Sequence, residues 1–401
     1  MENMMDGMMG RDKYGIKGAT SSFSELFVVS LFCGTLKFIT VMTDDRKDEI
    51  YYAAIELLQR QVRALAPRCE RRAVADLWES QLQQDGYETH REGNQVWAVA
   101  AAYDESLPTL LLEVGIDMSL PAGEWSRDPY EPVEDECCLY GIGINRFGAS
   151  AVSLWAAFRL LSGTPQPYNM IFWVSCKGGE ADVEELDSVW QHLPKPDFAV
   201  VGQPTDMRPA VSERGYMRLG CEVKGKAGSV AKGDGVNAIY KALPALAALQ
   251  DFHLERLSVT LGEVKFTAAS IEAAADEGMV PDSCRFMIEV RANDCYTNDE
   301  ILSLLQAALP CEMTPMPGAA EASHIDMQHP FVRRAELLGC EPFGSSARSD
   351  RAYIDCPSVG IGPGEPEPVA GDEFIRLADV REAIEMFVNL LDDLQLSTPE
   401  E

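Results

Sequence analysis

The sequence predicts an α/β protein with a small α+β region in the middle of the chain. From Gln95 to Gly202, short apolar runs alternate with amphipathic segments, a pattern typical of a sheet covered by helices on both faces. From Tyr216 to Ala308 the strands alternate residue by residue, and their order with the helices is β-α-β-β-α. A strand and helix region then closes the chain at Leu394.

The individual elements follow from local periodicity. Apolar residues at helical spacing predict an opening helix over 48–65 and a second over 73–84, and a Gly-rich turn leads into a third over 149–161. Apolar runs predict strands at 95–101, 109–113, 169–174 and 198–202. The middle region has predicted strands at 216–224, 262–274 and 284–292, and helices at 236–250 and 299–308. A Pro-rich stretch follows at 310–318.

Composition excludes several classes of protein. The chain has 401 residues, of which 46% are hydrophobic and 24% charged, so it can bury a sizeable core and is neither disordered nor fibrous. Its 34 basic against 64 acidic residues give a net charge of −30, which repels nucleic acid and anionic membranes. The 11 cysteines show no framework spacing, so reduced thiols and a cytoplasmic location are expected. The adjacent Cys137 and Cys138 form no metal motif.

The N-terminus allows two interpretations. Residues 26–42 are mostly apolar but interrupted by Lys37, and they are short for a membrane span, which needs about 20 residues. The favoured hypothesis is that Met42 is the true start and that residues 1–41 are extra sequence. A membrane anchor or signal segment is the alternative.

Several segments together carry a family resemblance. They are TLLLEVGID at 109–117, WSRDPYEP at 125–132, LYGIGINRFGAS at 139–150, PQPYNMIF at 165–172, DFAVVGQPTDM at 197–207, VSERGYMRL at 211–219, GKAGSVAK at 225–232, NAIYKAL at 237–243, MVPDSC at 279–284 and GPG at 362–364. From Met42 onward the chain resembles the zinc-dependent aminoacylase/carboxypeptidase family, which includes acetylornithine deacetylase and succinyl-diaminopimelate desuccinylase. It is most similar to the bacterial acetylornithine-deacetylase-like branch.

The resemblance implies a domain organisation. A mixed-sheet α/β domain of the zinc-aminopeptidase kind, here called the catalytic-type domain, is expected over 42–213 and 323–401. A smaller α+β dimerisation domain, here called the lid domain, interrupts it over 214–322. Residues 1–41 are an N-terminal extension.

The resemblance also implies where a two-zinc site would lie, and there this chain departs from the family. The five positions that hold metal ligands in the family are Gly115, Arg146, Gly179, Gln203 and Val369. The general-base position is Gly178, and the lid histidine that reaches across the dimer is replaced by Ser229. Asp117, which orients a ligand histidine in the family, is retained. A slip of one residue could bring Glu180 to a ligand position but could not also restore the base.

Some positions associated with substrate in the family survive. Arg291 and Asn293 match residues that line the substrate carboxylate, and Asn237 matches a lid residue nearby. Gly362 and Gly364 belong to a loop whose amides can hold an anion. A salt bridge for Arg291 and a simple turn at the glycines are the structural alternatives. The five histidines, His90, His192, His253, His324 and His329, lie in no ligand motif and are expected on the surface or in satisfied loops.

The sequence therefore predicts a catalytically inactive homologue of acetylornithine-deacetylase-like metallohydrolases that needs no zinc. It is expected to bind a small carboxylate, or to pair through the lid domain with itself or with an active relative. A membrane partner is expected only if residues 26–42 act as an anchor. The alternatives are a hydrolase of N-acyl amino acids or small peptides with an atypical site, and a folded remnant without a selected role. Ser175, Cys176 and Lys177 place a nucleophile near a base, but their spacing provides neither an orienting group nor an oxyanion hole.

Overall fold

A computed structural model describes residues 26–32, 35–41, 44–66, 71–100, 103–117, 120–177, 188–347, 349–366 and 371–396. The chain divides into two compact units, of which the first ends at Ile50 and the second starts at Tyr51. The predicted positions Gly178, Gly179 and Val369, together with Glu180, lie outside the described residues.

The apolar N-terminal run forms a β-hairpin. Strand β1 (Leu26–Phe32) pairs antiparallel with β2 (Thr35–Val41), in a register that runs from Leu26 opposite Val41 to Phe32 opposite Thr35. In the described part of the chain, no helix is long and apolar enough to cross a membrane. Helix α1 (Asp44–Ala64) follows the hairpin.

The second unit is built on one large mixed sheet, in the order β17-β10-β19-β9-β5-β8-β4-β3, with β18 paired to β10. Its strands are β3 (Thr89–Glu92), β4 (Gln95–Val99), β5 (Thr109–Asp117), β8 (Asn169–Lys177), β9 (Phe198–Gly202), β10 (Ala210–Glu213), β17 (Ser323–His324), β18 (Phe343–Ser345) and β19 (Ser358–Ile361). The accompanying helices are α2 (Arg71–Gln84) and α3 (Ala149–Leu161) early in the chain and α6 (Pro330–Leu337) and α7 (Leu377–Leu391) near its end.

Burial on both faces explains the long apolar runs in the central strands. Every residue of β9 is buried, and helix α3 is buried at all its positions except Arg159. On one face Phe172 of β8 lies between Phe158 of α3 and Trp78 of α2, with ring centroids 5.7 Å away in each case. The predicted α/β class is confirmed, and the predicted bounds of α3 and β9 are those observed.

A second sheet, in the order β13-β15-β11-β16, carries the alternating region. Its strands are β11 (Met217–Lys224), β13 (Lys265–Glu272), β15 (Ser283–Arg291) and β16 (Glu312–Pro315), and its helices are α4 (Ala238–Gln250) and α5 (Asn298–Ala308). Alternate residues of β11 and β15 are buried in a core shared with α4 and α5. The Pro-rich stretch at 310–318 contains β16, which pairs with β11 as an edge strand, where proline is tolerated.

Two smaller sheets complete the described part of the second unit. Strands β6 (Val133–Asp135), β7 (Cys138–Tyr140) and β20 (Phe374–Arg376) form a three-stranded sheet. Strand β12 (Gly228–Ser229) pairs with β14 (Met279–Val280). Strands β10 and β19 of the large sheet meet at a single pair, Ala210 opposite Gly360.

Candidate functional site

Parallel strands bring the family's ligand positions to one edge of the large sheet. Strands β8, β5, β9 and β19 are mutually parallel neighbours, so their carboxyl ends lie on the same side. Gly115 lies near the end of β5, Gln203 follows β9, and Gly362 follows β19. The carboxyl edge of such a sheet is where ligands usually bind. Of the two positions on β5, Gly115 is partly exposed and Asp117 is exposed.

The turn before α3 is organised around the carboxylate of Glu373. This carboxylate accepts hydrogen bonds from the amide of Gly143 at 2.8 Å and from the amides of Asn145 and Arg146 at 2.9 Å each. These amides belong to a π-helical turn over Ile144–Gly148 and to the glycine before it, which adopts a φ of +71°. The turn therefore binds an anion that the chain itself provides.

Arg146 supplies a positive charge beside the same carboxylate. Its Nε atom lies 3.5 Å from Oε2 of Glu373, and the exposed fraction is 36% for the arginine side chain and 6% for the glutamate. A guanidinium stays protonated throughout the physiological range, so this charge is permanent. The position predicted from the family resemblance to hold a metal-bridging carboxylate therefore carries a fixed cation.

Gln203 is buried and faces away from solvent toward a second polar cluster. Its Nε2 atom lies 3.5 Å from Oε2 of Glu213, which also accepts a 2.6 Å hydrogen bond from Ser349 Oγ. The guanidinium of the fully buried Arg351 approaches the same carboxylate at 4.0 Å and donates to the backbone carbonyls of Ala210 and Ser358. Burial raises the pKa of Glu213, and the Arg351 charge opposes that rise only in part.

Arg291 is partly engaged within the lid domain. Its Nη2 and Nε atoms lie 2.8 and 3.0 Å from Oε1 of Glu289, and its guanidinium lies over the ring of Tyr216 at 4.6 Å. This is the salt-bridge geometry named above as the alternative to a carboxylate contact.

The asparagines predicted to approach substrate make backbone hydrogen bonds. Asn293 is fully buried and donates to the carbonyls of Arg256 and Gly262 at 3.1 and 2.7 Å. Asn237 caps helix α4 by accepting from the amide of Ile239 at 2.8 Å. Both side chains thus hold local structure.

The loop with Gly362 and Gly364 is fastened to its neighbours. The amide of Gly362 donates to Thr205 Oγ1 at 3.1 Å, and the amide of Glu365 donates to Asn145 Oδ1 at 2.8 Å. Gly364 has a φ of +101°, and a Cβ there would lie 2.7 Å from Asn145 Oδ1, so only glycine fits. Within the described residues, these two amides already have acceptors of their own.

A cavity of about 690 Å³ adjoins this loop and the Glu373 carboxylate. Its lining is rich in carboxylates, with one arginine. The lining residues are Glu124, Cys138, Asn145, Asp206, Gly364, Glu365, Gly371, Asp372, Glu373, Phe374, Ile375, Arg376 and Asp379.

The histidines lie apart from this edge. Four of them, His90, His192, His253 and His324, are exposed, while His329 caps helix α6 and contacts the ring of Phe198 at 4.4 Å. In the described part of the chain, no group of three or more His, Cys, Asp or Glu side chains is placed to hold a metal ion.

Comparison with known proteins identifies the class. Residues 211–312 match a peptidase dimerisation domain of the M20 type. The chain is 23% identical over 296 residues to acetylornithine deacetylase of Proteus mirabilis, covering 69% of this chain and 76% of the relative. It is 24% identical over 286 residues to acetylornithine deacetylase of Erwinia tasmaniensis, and this match covers 65% of this chain and 73% of the relative.

Solved structures show the same fold. Aminopeptidase PepT of Bacillus cereus superposes with a TM-score of 0.64 at 15% identity, covering 86% of this chain and 98% of that one. The M20 metallo-carboxypeptidase Sso-CP2 of Sulfolobus solfataricus superposes with a TM-score of 0.62 at 14% sequence identity, and the match covers the same shares of the two chains. The chain thus has the two-part fold of these hydrolases. The resemblance seen in the sequence, to acetylornithine deacetylases and to proteins with a peptidase dimerisation domain of the M20 type, is confirmed.

Two residues that organise the site escaped sequence reasoning. Glu373 lies in an Asp-Glu-Phe-Ile run and Glu213 at the end of a short buried strand, and no role is predicted for either residue. The Gly-rich turn that contains Arg146 could have indicated Glu373, because free amides and a guanidinium together favour a carboxylate partner.

Replacing Glu373 by glutamine should destabilise the fold by about 2–4 kcal/mol, because three amides and a guanidinium lose their charged acceptor. Urea denaturation measures this loss. Glu365→Gln is the control, since that side chain is exposed at the same cavity and should change stability by less than about 0.5 kcal/mol. Equal effects of the two substitutions would contradict the role given to Glu373.

Glu213→Gln should change how stability depends on pH. In the folded protein the pKa of Glu213 is raised above its ordinary value of 4.5. The contribution of Glu213 to the free energy of unfolding is therefore complete below pH 4.5 and is lost as the pH rises through the raised pKa. The free energy of unfolding of the native chain should therefore fall relative to Glu213→Gln as pH rises across that range. Glu222 serves as the control. Hydrogen bonds from Ser283 and Arg285 lower the pKa of Glu222, so Glu222→Gln should produce no fall of this kind. Parallel pH curves for wild type and Glu213→Gln would contradict the prediction.

Proposed function

We propose that this chain is a catalytically inactive homologue of acetylornithine-deacetylase-like metallohydrolases that acts by pairing or by binding a small carboxylate. The observation that carries the proposal is the Arg146–Glu373 pair in the turn where the family has its bridging carboxylate. The relatives themselves are acetylornithine deacetylases, and a solved neighbour is a dinuclear metal-binding peptidase of Bacillus subtilis.

The residues at the family's ligand positions do not fit zinc. Zinc in proteins takes thiolate, imidazole and carboxylate ligands. Gly115 has no side chain, Arg146 is cationic, and the neutral amide of Gln203 is turned toward Glu213. The sequence offers glycine at 178 and 179 and valine at 369, which add no donor side chain.

Electrostatics reinforces the mismatch. At an effective dielectric constant near 20, a guanidinium repels a dication about 4 Å away by about 8 kcal/mol. Glu373 offsets part of this repulsion, but its carboxylate is occupied by three amides. A pair of zinc ions would therefore need ligands that the described residues at this edge of the sheet do not provide.

The second part of the proposal concerns assembly. Residues 42–213 and 323–401 form the catalytic-type domain, and the lid domain at 214–322 pairs two chains. The match to a peptidase dimerisation domain over 211–312 supports a homodimer. An active relative is the alternative partner.

Metal analysis tests the loss of the site. The protein purified without chelators should contain much less than one zinc per chain. It should not hydrolyse N-acetylornithine above background, because no ligand set or base remains. The Proteus mirabilis relative, expressed identically, is the control. Two zinc ions per chain, or hydrolysis that a chelator abolishes, would show instead that the chain is a hydrolase with an atypical site.

Light scattering on the full chain tests the pairing. The expected mass is twice 44.1 kDa, and it should persist on dilution to low micromolar concentration. Co-expression with a tagged active relative asks which partner is preferred. A monomer that also fails to co-purify with the relative would refute pairing, and the metal result would stand independently.

A further inference from the structure

Three buried polar side chains of strands β4 and β8 have atoms that find no hydrogen-bond partner among the described residues. Gln95 and Ser175 have no exposed surface, and Trp173 is 2% exposed. Across the described residues, four of their atoms have no partner: Nε2 and Oε1 of Gln95, Oγ of Ser175 and Nε1 of Trp173.

Strand register places these atoms in one patch. Gln95 of β4 lies directly opposite Ser175 of β8, and Trp97 lies opposite Trp173. Residues paired in this way project from the same face, with Cβ atoms about 5 Å apart. On the other side of β8, Gly115 of β5 lies beside Ser175. The patch thus spans three strands next to the carboxyl edge of the sheet.

An unsatisfied patch of this kind is energetically costly. A buried donor or acceptor without a partner destabilises the fold, and the large majority of buried polar atoms in native proteins are paired. Gly115 adds no side chain to this face and is itself partly exposed. Since the described residues supply no partner to these four atoms, a small molecule would have to supply one.

The chemistry of the patch defines what it would accept. An amide, a hydroxyl and an indole offer both donors and acceptors, and none carries a formal charge. Glu113 is buried on the same face, beside Trp173, and has an interaction of its own, so the site is defined by the three uncharged side chains.

We propose that Gln95, Ser175 and Trp173 form a binding site for a small uncharged molecule that both donates and accepts hydrogen bonds. Water is the smallest such molecule, and a carboxamide is a larger one with the same chemistry. The site is independent of the proposed function, because Gly115 contributes no side chain to it and because it requires neither a metal ion nor a dimer.

A crystal structure and a binding series test this site. The wild-type crystal should show a molecule within hydrogen-bond distance of Gln95 and Ser175. In thermal-shift titrations acetamide should raise the melting temperature, whereas acetate, its charged counterpart of the same shape, should not. Bound water without a response to acetamide identifies water as the occupant. A dry patch in the crystal, or equal responses to acetamide and acetate, would overturn the proposal.

Variants connect the response to the patch. Gln95→Met keeps the length of the side chain and removes two of the four atoms, so acetamide affinity should fall at least about fivefold. Ser175→Ala, a smaller change, should weaken it in the same direction and remains usable if Gln95→Met does not fold. Ser153→Ala is the matched control, because its hydroxyl is also buried and unpartnered but lies on α3, which packs against the opposite face. Loss of the response in Ser153→Ala as well would count against the site.

Discussion

The carboxylate of Glu373 is the contact on which the candidate site depends. It joins the segment just before β20 to the turn that opens α3, across more than two hundred residues of sequence. Three amides and one guanidinium share this single acceptor group. Amides at the start of a helix attract anions, and here that attraction is satisfied internally. The turn therefore needs neither metal nor ligand to keep its shape.

This contact also shows how protein groups can hold the loops at this edge of the sheet. In a metallohydrolase, the ions themselves hold together loops from several strands. Here Glu373 binds the turn, Asn145 binds the Gly364 loop, and Gln203 lies against Glu213. Arg146 adds a positive charge beside the turn. The proposed loss of the metal site rests on these contacts.

The fold was largely predictable because burial on two faces leaves long apolar runs, as in β9 and α3. Strand β16 was missed because an edge strand with prolines has neither a long apolar run nor clear alternation. The convergence of Gly115, Gln203 and Gly362 followed from parallel pairing. The partners of Glu373 and Glu213 could not be predicted in this way, because contacts between distant segments leave no periodic pattern in a single sequence.

Arg351 shows where the large sheet depends on a side chain. Strands β10 and β19 share only one residue pair, yet they remain adjacent because one buried guanidinium reaches a carbonyl oxygen on each of them. Only a planar, forked cation can span both acceptors at once; an ammonium group cannot reproduce that geometry. The contact between β10 and β19 thus depends on one side chain that must be arginine, as strictly as a catalytic position requires its residue, although Arg351 takes part in no reaction.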